Sequence, residues 1–198
     1  YILSKSFNEQ DEKKLLGSIN LDMLTKTTET KPKQIARAAN QDKILEEIAK
    51  LRENLAENRF LQSKSYEVFF VYAEKIPNIL HEIGRLREIT FREIGEGTNE
   101  SIDLDKFDRY YYHMFLWDED QQRVAGAYRM GLGSEIFPKY GIDGFYMQEL
   151  FKFEPELHKM MSESIEMGRA FIVPDYQLKP MPLFLLWKGI VHTTLRYP

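Results

Sequence analysis

The segment YYYHMFLWDEDQQRVAGAYRMGLG, which begins at Tyr110, constrains the fold more than any other part of the chain. It contains two apolar runs, 110–117 and 123–130, on either side of a polar turn at Asp118–Gln122. Aromatic and β-branched runs that flank a short polar turn are typical of a β-hairpin. The two runs are therefore expected to be neighbouring antiparallel strands.

Strand-like and helix-like segments surround this hairpin. The runs YEVFFVYA at 66–73 and SIEMGRAFIV at 164–173 are rich in aromatic and β-branched residues, which predicts two further strands. Apolar residues at helical spacing predict helices at 41–60, 76–93, 154–162 and 182–196. The segment GFYMQELF, from Gly144, is compatible with either structure. This order predicts an α+β fold, a mixed α/β layer with a largely antiparallel twisted central sheet and flanking helices, rather than a doubly wound parallel sheet.

The chain is expected to have three parts. Residues 1–39 are polar, with the threonine-rich patch TKTTETKPK, and are interpreted as a linker or the tail of a preceding domain. Residues 40–63 are predicted to be a bridging amphipathic helix with Asn40 as its N-cap. Residues 64–198 are predicted to be the main domain. Because the sequence starts at YILSKSF, without a methionine, and stops at LRYP, we expect it to be a piece of a longer protein.

Composition excludes several classes of function. The formal net charge of -4 argues against non-specific binding of nucleic acid, which requires a basic surface. The chain has no cysteine, which excludes disulfides, cysteine nucleophiles and thiolate metal sites. The longest apolar runs, such as MPLFLLW, are far shorter than the roughly 20 residues of a membrane-spanning helix. No signal peptide is visible, so a cytoplasmic location is expected.

Familiar motifs for metals, nucleotides and serine nucleophiles are absent from the sequence. An EF-hand loop that started at Asp103 would need glycine at its sixth position and glutamate at its twelfth, where the chain has Asp108 and Met114. The four histidines are not paired at helical or short-loop spacing, so no metal site is predicted. There is no dinucleotide-binding glycine loop, no Walker A motif and no Gly-x-Ser-x-Gly elbow.

Charged residues occur on strands that are otherwise apolar. Arg129 ends the run VAGAYR, and Glu166 and Arg169 lie three positions apart in IEMGRAFIV. Side chains three apart on a strand point to opposite faces unless a bulge intervenes, and Gly168 is a suitable residue for a bulge. The pair is either a salt bridge at the end of a sheet or an acid and a base that line a cleft. The residues alone leave both interpretations open.

Six motifs in order resemble a known group of enzymes. RLREITFREIG, DLDKFD, GAYRM, GFYMQELF, IEMGRAFIVPDYQ and LFLLWKGI extend over roughly residues 66–196. They resemble the acyl-homoserine-lactone autoinducer synthases and, more closely, the N-acyltransferases of bacterial ornithine- and glycine-lipid synthesis, which have often been named as hemolysins. Both groups belong to the GNAT acyltransferase superfamily. The resemblance implies a GNAT-like fold that continues with further strands, so the C-terminal strands are expected to be missing from this chain.

The resemblance also implies which residues form the site. The signature positions of the family are Arg87, Phe91, Asp103, Asp105, Asp108, Arg129, Glu166 and Arg169, and all of these except Glu166 are taken as substrate-binding residues. The first of the three acids is usually glutamate in autoinducer synthases, but it is aspartate here. The aspartates are expected either to pair with Arg87 and Arg129 across a cleft or to form a solvated acidic turn. Arg169 or Arg129 is expected to hold the carboxylate of the acceptor.

The implied reaction is the transfer of a long (3-hydroxy)acyl chain from an acyl carrier protein thioester to the amine of an amino acid. Since the amine must lose a proton, a general base is needed, and Glu166 is the first candidate and Glu149 the second. The co-substrate is acyl carrier protein or acyl-CoA, and no permanently bound cofactor is expected. PDYQLKPMP follows Val173 in place of the glycine-containing acetyl-CoA loop of ordinary GNAT enzymes, which disfavours acetyl-CoA.

Partners follow from the same resemblance. Arg85, Lys179 and Lys188 are predicted to form a basic patch that docks the acidic carrier protein, or else an ordinary solvated surface. A fused or neighbouring O-acyltransferase domain and peripheral contact with the inner membrane are further expectations. Three other functions stay open: an autoinducer-synthase-like activity, an acetyl-CoA-dependent acetyltransferase, and a non-catalytic acyl-binding module.

Overall fold

The computed structural model describes residues 31–197 of the chain. The polar segment 1–39, interpreted above as a linker or a tail, therefore lies mostly outside the described residues. Within the described part of the chain, no helix is both long enough and apolar enough to cross a membrane.

The described residues form one sheet with helices around it. The strands are β1 (Arg59–Ser63), β2 (Tyr66–Tyr72), β3 (Tyr112–Asp118), β4 (Arg123–Leu132) and β5 (Ile165–Ile172). The helices are α1 (Gln41–Glu53), α2 (Leu55–Asn58), α3 (Pro77–Glu93), α4 (Gly133–Tyr140), α5 (Met147–Leu150), α6 (His158–Ser162), α7 (Pro174–Gln177) and α8 (Pro180–Arg196). Short 3-10 turns occur at Ala73–Lys75, Phe107–Arg109, Gly141–Gly144 and Pro155–Leu157.

The sheet has the strand order β1-β2-β3-β4-β5, and every neighbouring pair is antiparallel. The predicted hairpin is present as β3 and β4, in which Phe115 pairs with Ala127. Both strands are buried over nearly their whole length, because helices cover both faces of the sheet. The predicted α+β class with an antiparallel central sheet is confirmed.

Two faces of the sheet carry different helices. On one face, α1 packs beside α3, and α3 contacts β4 and β5. On the other face, α8 crosses the sheet so closely that a Cβ on Gly189 would come within 2.4 Å of the Met114 sulfur. Side chains of adjacent strand residues alternate, so His113, next to Met114, points to the α3 face. That face holds the predicted charged residues.

The prediction of one helix over 41–60, within a bridging helix at 40–63, was wrong at its C-terminal end. The helix α1 ends at Glu53, Asn54 has a non-helical backbone, and the single turn α2 leads into β1. Strand β1 pairs with β2, and the Phe60 ring stacks on Phe70 at a centroid distance of 4.8 Å. Pairing to the sheet edge therefore overrides the helical pattern, which is a local signal only. The ambiguous segment GFYMQELF contains the short helix α5.

Candidate active site

The loop after α3 brings the three aspartates back against that helix. Buried Glu88 on α3 accepts hydrogen bonds from the backbone N–H groups of Thr98 and Asn99, at 2.9 and 3.0 Å, and from the Thr98 hydroxyl at 2.7 Å. Burial alone would raise the pKa of Glu88, but these hydrogen bonds and Arg92 outweigh burial and lower it. The start of the loop is thus fixed to α3, and the chain continues directly into DLDKFD.

Two arginines and two aspartates form a closed ionic cluster on the α3 face. Arg87 Nη2 lies 3.0 Å from Asp108 Oδ2, and Arg87 Nε lies 3.0 Å from Asp103 Oδ2. From β4, Arg129 Nη1 lies 3.1 Å from Asp108 Oδ2 and 2.6 Å from Asp105 Oδ1. The side chains of Arg87, Asp103, Asp108 and Arg129 are at most 2% exposed. The pairing predicted for the aspartates is therefore present, and a fully solvated acidic turn is not.

The pKa values of the two buried aspartates in the cluster are shifted in opposite directions. Burial alone would raise the pKa of Asp108, but the charges of Arg87 and Arg129 outweigh burial and hold it below its ordinary value. At Asp103, burial is the larger effect and raises the pKa above its ordinary value despite Arg87 and Arg169. Asp108 is therefore the firmly ionised centre that binds both buried arginines.

His113 supports this centre from β3. Its Nε2 lies 2.8 Å from the Asp108 carbonyl oxygen, and because a carbonyl only accepts, Nε2 carries the proton. Complete burial lowers the pKa of His113 to about 4, and the charges of Arg87 and Arg129 add to the effect. His113 is therefore neutral at physiological pH and holds the backbone of the aspartate loop.

A bulge in β5 brings Glu166 and Arg169 to the same face. Gly168 pairs with Arg129, whereas Phe171 pairs with Ala127, so β5 has one residue more than β4 over this interval. Arg169 has a φ of 51°, in the left-handed region that residues other than glycine rarely adopt. The bulge expected near Gly168 is thus present, and it turns Arg169 toward the aspartates.

Arg169 is held much more loosely than the two buried arginines. Its Nη1 lies 3.5 Å from Asp103 Oδ2 and its Nη2 lies 3.7 Å from Asp105 Oδ2, and its side chain is 22% exposed. Its Nε is buried without a hydrogen-bond partner among the described residues. The centroid of the Tyr146 ring lies 5.4 Å from the Arg169 guanidinium and 5.1 Å from the Arg129 guanidinium. Arg169 is therefore the arginine of this cluster with room for a further partner.

Glu166 is half-buried and already accepts three hydrogen bonds. The backbone N–H groups of Tyr146 and Met147 donate to it at 3.1 and 2.7 Å, and the Tyr111 hydroxyl donates as well. Burial and this carboxylate raise the pKa of Tyr111, so the phenol keeps its proton and acts as a donor. A carboxylate has about four lone-pair sites, so Glu166 retains one for a substrate proton.

The other predicted residues are not all brought to this cluster. Glu149, on α5, is half-exposed and lies 2.7 Å from Lys106 in a surface ion pair. Arg85 is paired with Glu82 on α3, whereas Lys179 and Lys188 are exposed at α8 on the other side of the sheet. The three basic residues therefore do not form one patch.

An apolar cavity of about 280 Å³ opens at the edge of β5 next to the bulge. The large apolar side chains that line it are Phe91, Ile94, Tyr128, Phe171, Ile172 and Leu183. Ala170, which follows Arg169 directly, also lines it, so the cavity adjoins the charged cluster along the chain. The site as a whole combines fixed charges with an adjoining apolar space.

Tyr111 and Tyr146 are site residues that the sequence did not identify. Their contacts with Glu166 join residues 55 and 20 positions apart, so no local pattern indicates them.

Among residues 31–197, no group of three histidine, aspartate or glutamate side chains is arranged to hold a metal ion.

Comparisons with known proteins agree with the predicted resemblance. A family model described as an acetyltransferase (GNAT) domain matches residues 86–187. The chain is 33% identical over 124 residues to a glycine N(alpha)-acyltransferase of Phocaeicola vulgatus, an alignment that covers 60% of this chain and 38% of the relative. It is 31% identical over 173 residues to a protein of the same name from Bacteroides thetaiotaomicron, covering 79% of this chain and 51% of the relative. The chain thus spans at most about half the length of these curated relatives, and no solved structure matches it.

Proposed function

The chain belongs to the acetyltransferase (GNAT) family, whose model matches more than half of its residues, and on that premise we propose that it is an N-acyltransferase. The donor is a long, 3-hydroxylated acyl chain on an acyl carrier protein, and the acceptor is the amine of an amino acid. Both relatives are named glycine N(alpha)-acyltransferase, which supports an amino-acid acceptor. The product is an N-acyl amino acid, the lipophilic part of an aminolipid.

One observation supports this proposal more than any other. The bulge in β5 aligns a half-buried carboxylate, Glu166, and a partly exposed guanidinium, Arg169, beside an apolar cavity. Charged groups suit an amino acid, and an apolar cavity suits an acyl chain. The two substrates of N-acyl transfer need these two environments next to each other.

The reaction is a direct displacement at the thioester. The amine nitrogen attacks the carbonyl carbon, the N–C bond forms, and the C–S bond breaks. Glu166 accepts the proton that the amine loses, through the lone pair that its three donors leave free. The nitrogen loses its second proton as the C–S bond breaks, and the departing sulfur takes up this proton and leaves as the thiol of the donor. Two substrates held in the right orientation supply a large part of the rate enhancement.

The preference for a long chain rests on the surroundings of α7 and α8. The segment PDYQLKPMP folds into α7 and the first turn of α8. Leu183 at the start of α8 and Phe91 on α3 line the apolar cavity, which favours a hydrocarbon tail. Exposed Lys179 and Lys188 suit an acidic carrier protein, and charge complementarity mainly accelerates such docking. Peripheral contact with the inner membrane and an O-acyltransferase partner, fused or neighbouring, complete the proposal.

Mass spectrometry of a defined reaction tests the proposal. The full-length protein is incubated with glycine or ornithine and either 3-hydroxyacyl carrier protein or acetyl-CoA. We expect a long-chain N-acyl amino acid from the carrier-protein donor. An acetylated product alone, or no N-acylated product from either donor, contradicts the proposed donor or the proposed activity.

A matched pair of variants tests the base. Glu166→Gln should lower kcat by about 100-fold. Glu163→Gln, at an exposed position two residues from β5, should leave kcat unchanged. If Glu166→Gln retains most of the turnover at all pH values, another group is the base.

A further inference from the structure

The arginines of the cluster differ in how many partners they already have. Arg129 is 2% exposed and its Nη1 contacts Asp105 and Asp108 at 2.6 and 3.1 Å. Arg87 is 1% exposed and also contacts Asp108. A substrate carboxylate could reach either group only by displacing a buried aspartate, which would leave that charge without a partner. These two arginines are closed to a substrate.

Arg169 and Asp105 form an open pair at the rim of the same cluster. The distance between Arg169 Nη2 and Asp105 Oδ2 is 3.7 Å, too long for a hydrogen bond. Their side chains are 22% and 27% exposed. Asp105 Oδ1 accepts from Arg129 and from the backbone N–H groups of Phe107 and Asp108, whereas Oδ2 has no hydrogen-bond partner among residues 31–197. One guanidinium edge and one carboxylate oxygen are therefore both available, side by side.

The backbone supports the same conclusion. Arg169 has a φ of 51°, and a strained conformation of this kind persists where the surrounding structure imposes it, frequently at ligand sites. A Cβ added to the preceding Gly168 would meet no atom within 4 Å. The chain therefore keeps open space at the position directly before Arg169.

We propose that Arg169 and Asp105 bind the two charges of an α-amino acid, the carboxylate on the Arg169 guanidinium and the ammonium on Asp105 Oδ2. This assignment rests on the proposed N-acyl transfer. A carboxylate on Arg169 adds charge-assisted hydrogen bonds to a guanidinium whose contacts with Asp103 and Asp105 are long, at 3.5 and 3.7 Å. The amine is held on Asp105 until Glu166 takes its proton. The acceptor is thus selected by its free carboxylate rather than by its side chain, and simple amines are poor acceptors.

Kinetics with glycine and glycinamide test the assignment, because glycinamide keeps the amine and lacks the carboxylate. With saturating 3-hydroxyacyl carrier protein, the wild-type protein should prefer glycine by about 100-fold in kcat/KM, the usual scale for two hydrogen bonds to a charged group. Arg169→Gln should remove this preference by raising the KM for glycine, with less than about a 3-fold change for glycinamide. Asp105→Asn should raise the KM for both acceptors.

Two controls separate the possible failures. Arg123→Gln, which removes an exposed arginine paired with Asp175, should behave as wild type. A binding measurement without donor keeps the test independent of turnover, since glycine and not glycinamide should raise the Tm of the wild-type protein. Equal use of both acceptors by the wild type, or an equal loss for both in Arg169→Gln, overturns the assignment while N-acyl transfer stands. Absence of N-acylated product from every amine contradicts the proposed function itself, and the binding measurement then decides the assignment alone.

Discussion

Arg87 on α3 and Asp108 in the following loop form an ion pair that is closed to solvent, with 3.0 Å between Nη2 and Oδ2 and at most 2% exposure of either side chain. Asp108 also binds Arg129 from β4, so a single carboxylate joins a helix, a loop and a strand. Two buried charges contribute to stability only while both partners remain. The pair therefore couples the integrity of the site to the stability of the fold.

Arg87→Met tests this coupling. Removal of the guanidinium takes one arginine partner away from the buried carboxylates of Asp108 and Asp103. Loss of one partner of a buried ion pair typically lowers the free energy of unfolding by about 3–5 kcal/mol. Urea unfolding should therefore show a loss of that size. Arg123→Met, at an ion pair that is 38% and 68% exposed, should cost at most about 1 kcal/mol. Equal costs for the two variants would mean that the buried cluster adds no more stability than a surface pair.

The protonation of His113 should make stability depend on pH. Burial lowers the pKa of His113 to about 4 from an ordinary value of 6.5, so the unfolded chain binds this proton more readily than the folded chain. Protons therefore favour unfolding as the pH falls. Between pH 7.5 and pH 5, the free energy of unfolding should fall by about 2 kcal/mol from this residue, since one pKa unit corresponds to about 1.4 kcal/mol.

Denaturant unfolding at several pH values, on wild type and His113→Gln, measures this contribution. The variant should lose the slope between pH 7.5 and pH 5, whatever its absolute stability. Its counterpart His192→Gln, at an exposed position on α8, should keep the wild-type slope. A slope that survives in His113→Gln would assign the pH dependence to another group.

Much of the fold can be predicted from sequence because its elements carry local signals. The helix α3 begins at a proline, Pro77, and repeats apolar residues at helical spacing, so its predicted limits of 76–93 agree with the structure. Strand β1 was missed because RFLQS continues the preceding helical pattern. Its extended conformation depends on β2 and on the stacking of Phe60 on Phe70, which are tertiary contacts.

The candidate site was also predictable from the sequence in part. The signature residues Arg87 and Arg129 were identified by their motifs, and they do meet the aspartates in space. The difference between closed Arg129 and open Arg169 was not predictable, because it depends on burial and on distances of tenths of an ångström. The donors to Glu166 were also missed, since Tyr146 reaches it only through the packing of the segment between β4 and β5.

Glu47 should stabilise the junction of α1 and α3. Helix α3 has no side-chain cap of its own, and Glu47 of α1 instead accepts from the backbone N–H groups of Asn78 and Ile79, each at 2.9 Å. Because Glu47 is 6% exposed, truncation leaves buried donors without a partner. Glu47→Ala should therefore cost about 2–3 kcal/mol in urea unfolding, counting the lost cap and the orphaned donors.

Glu46→Ala, at the adjacent exposed position, is the matched control and should stay within about 0.5 kcal/mol of wild type. Hydrogen exchange adds a local readout, because the amides of Asn78 and Ile79 should lose protection in Glu47→Ala. Unchanged protection at these two amides would show that Glu47 does not cap α3.

An added Cβ would have very different room at Gly168 on β5 and at Gly126 on β4. Substitutions at these two glycines therefore separate the candidate acceptor site from the packed core. A Cβ at Gly126 would lie 2.6 Å from the Phe171 carbonyl oxygen, whereas one at Gly168 would meet nothing within 4 Å. Gly126→Ala should therefore destabilise the chain by about 1–3 kcal/mol, as expected for overpacking, and Gly168→Leu should change stability by at most about 0.5 kcal/mol. If the space beside Gly168 receives the acceptor, the leucine side chain fills it and kcat/KM for the amino acid falls by about 100-fold. A Gly168→Leu variant that is stable and fully active would show that the acceptor binds elsewhere.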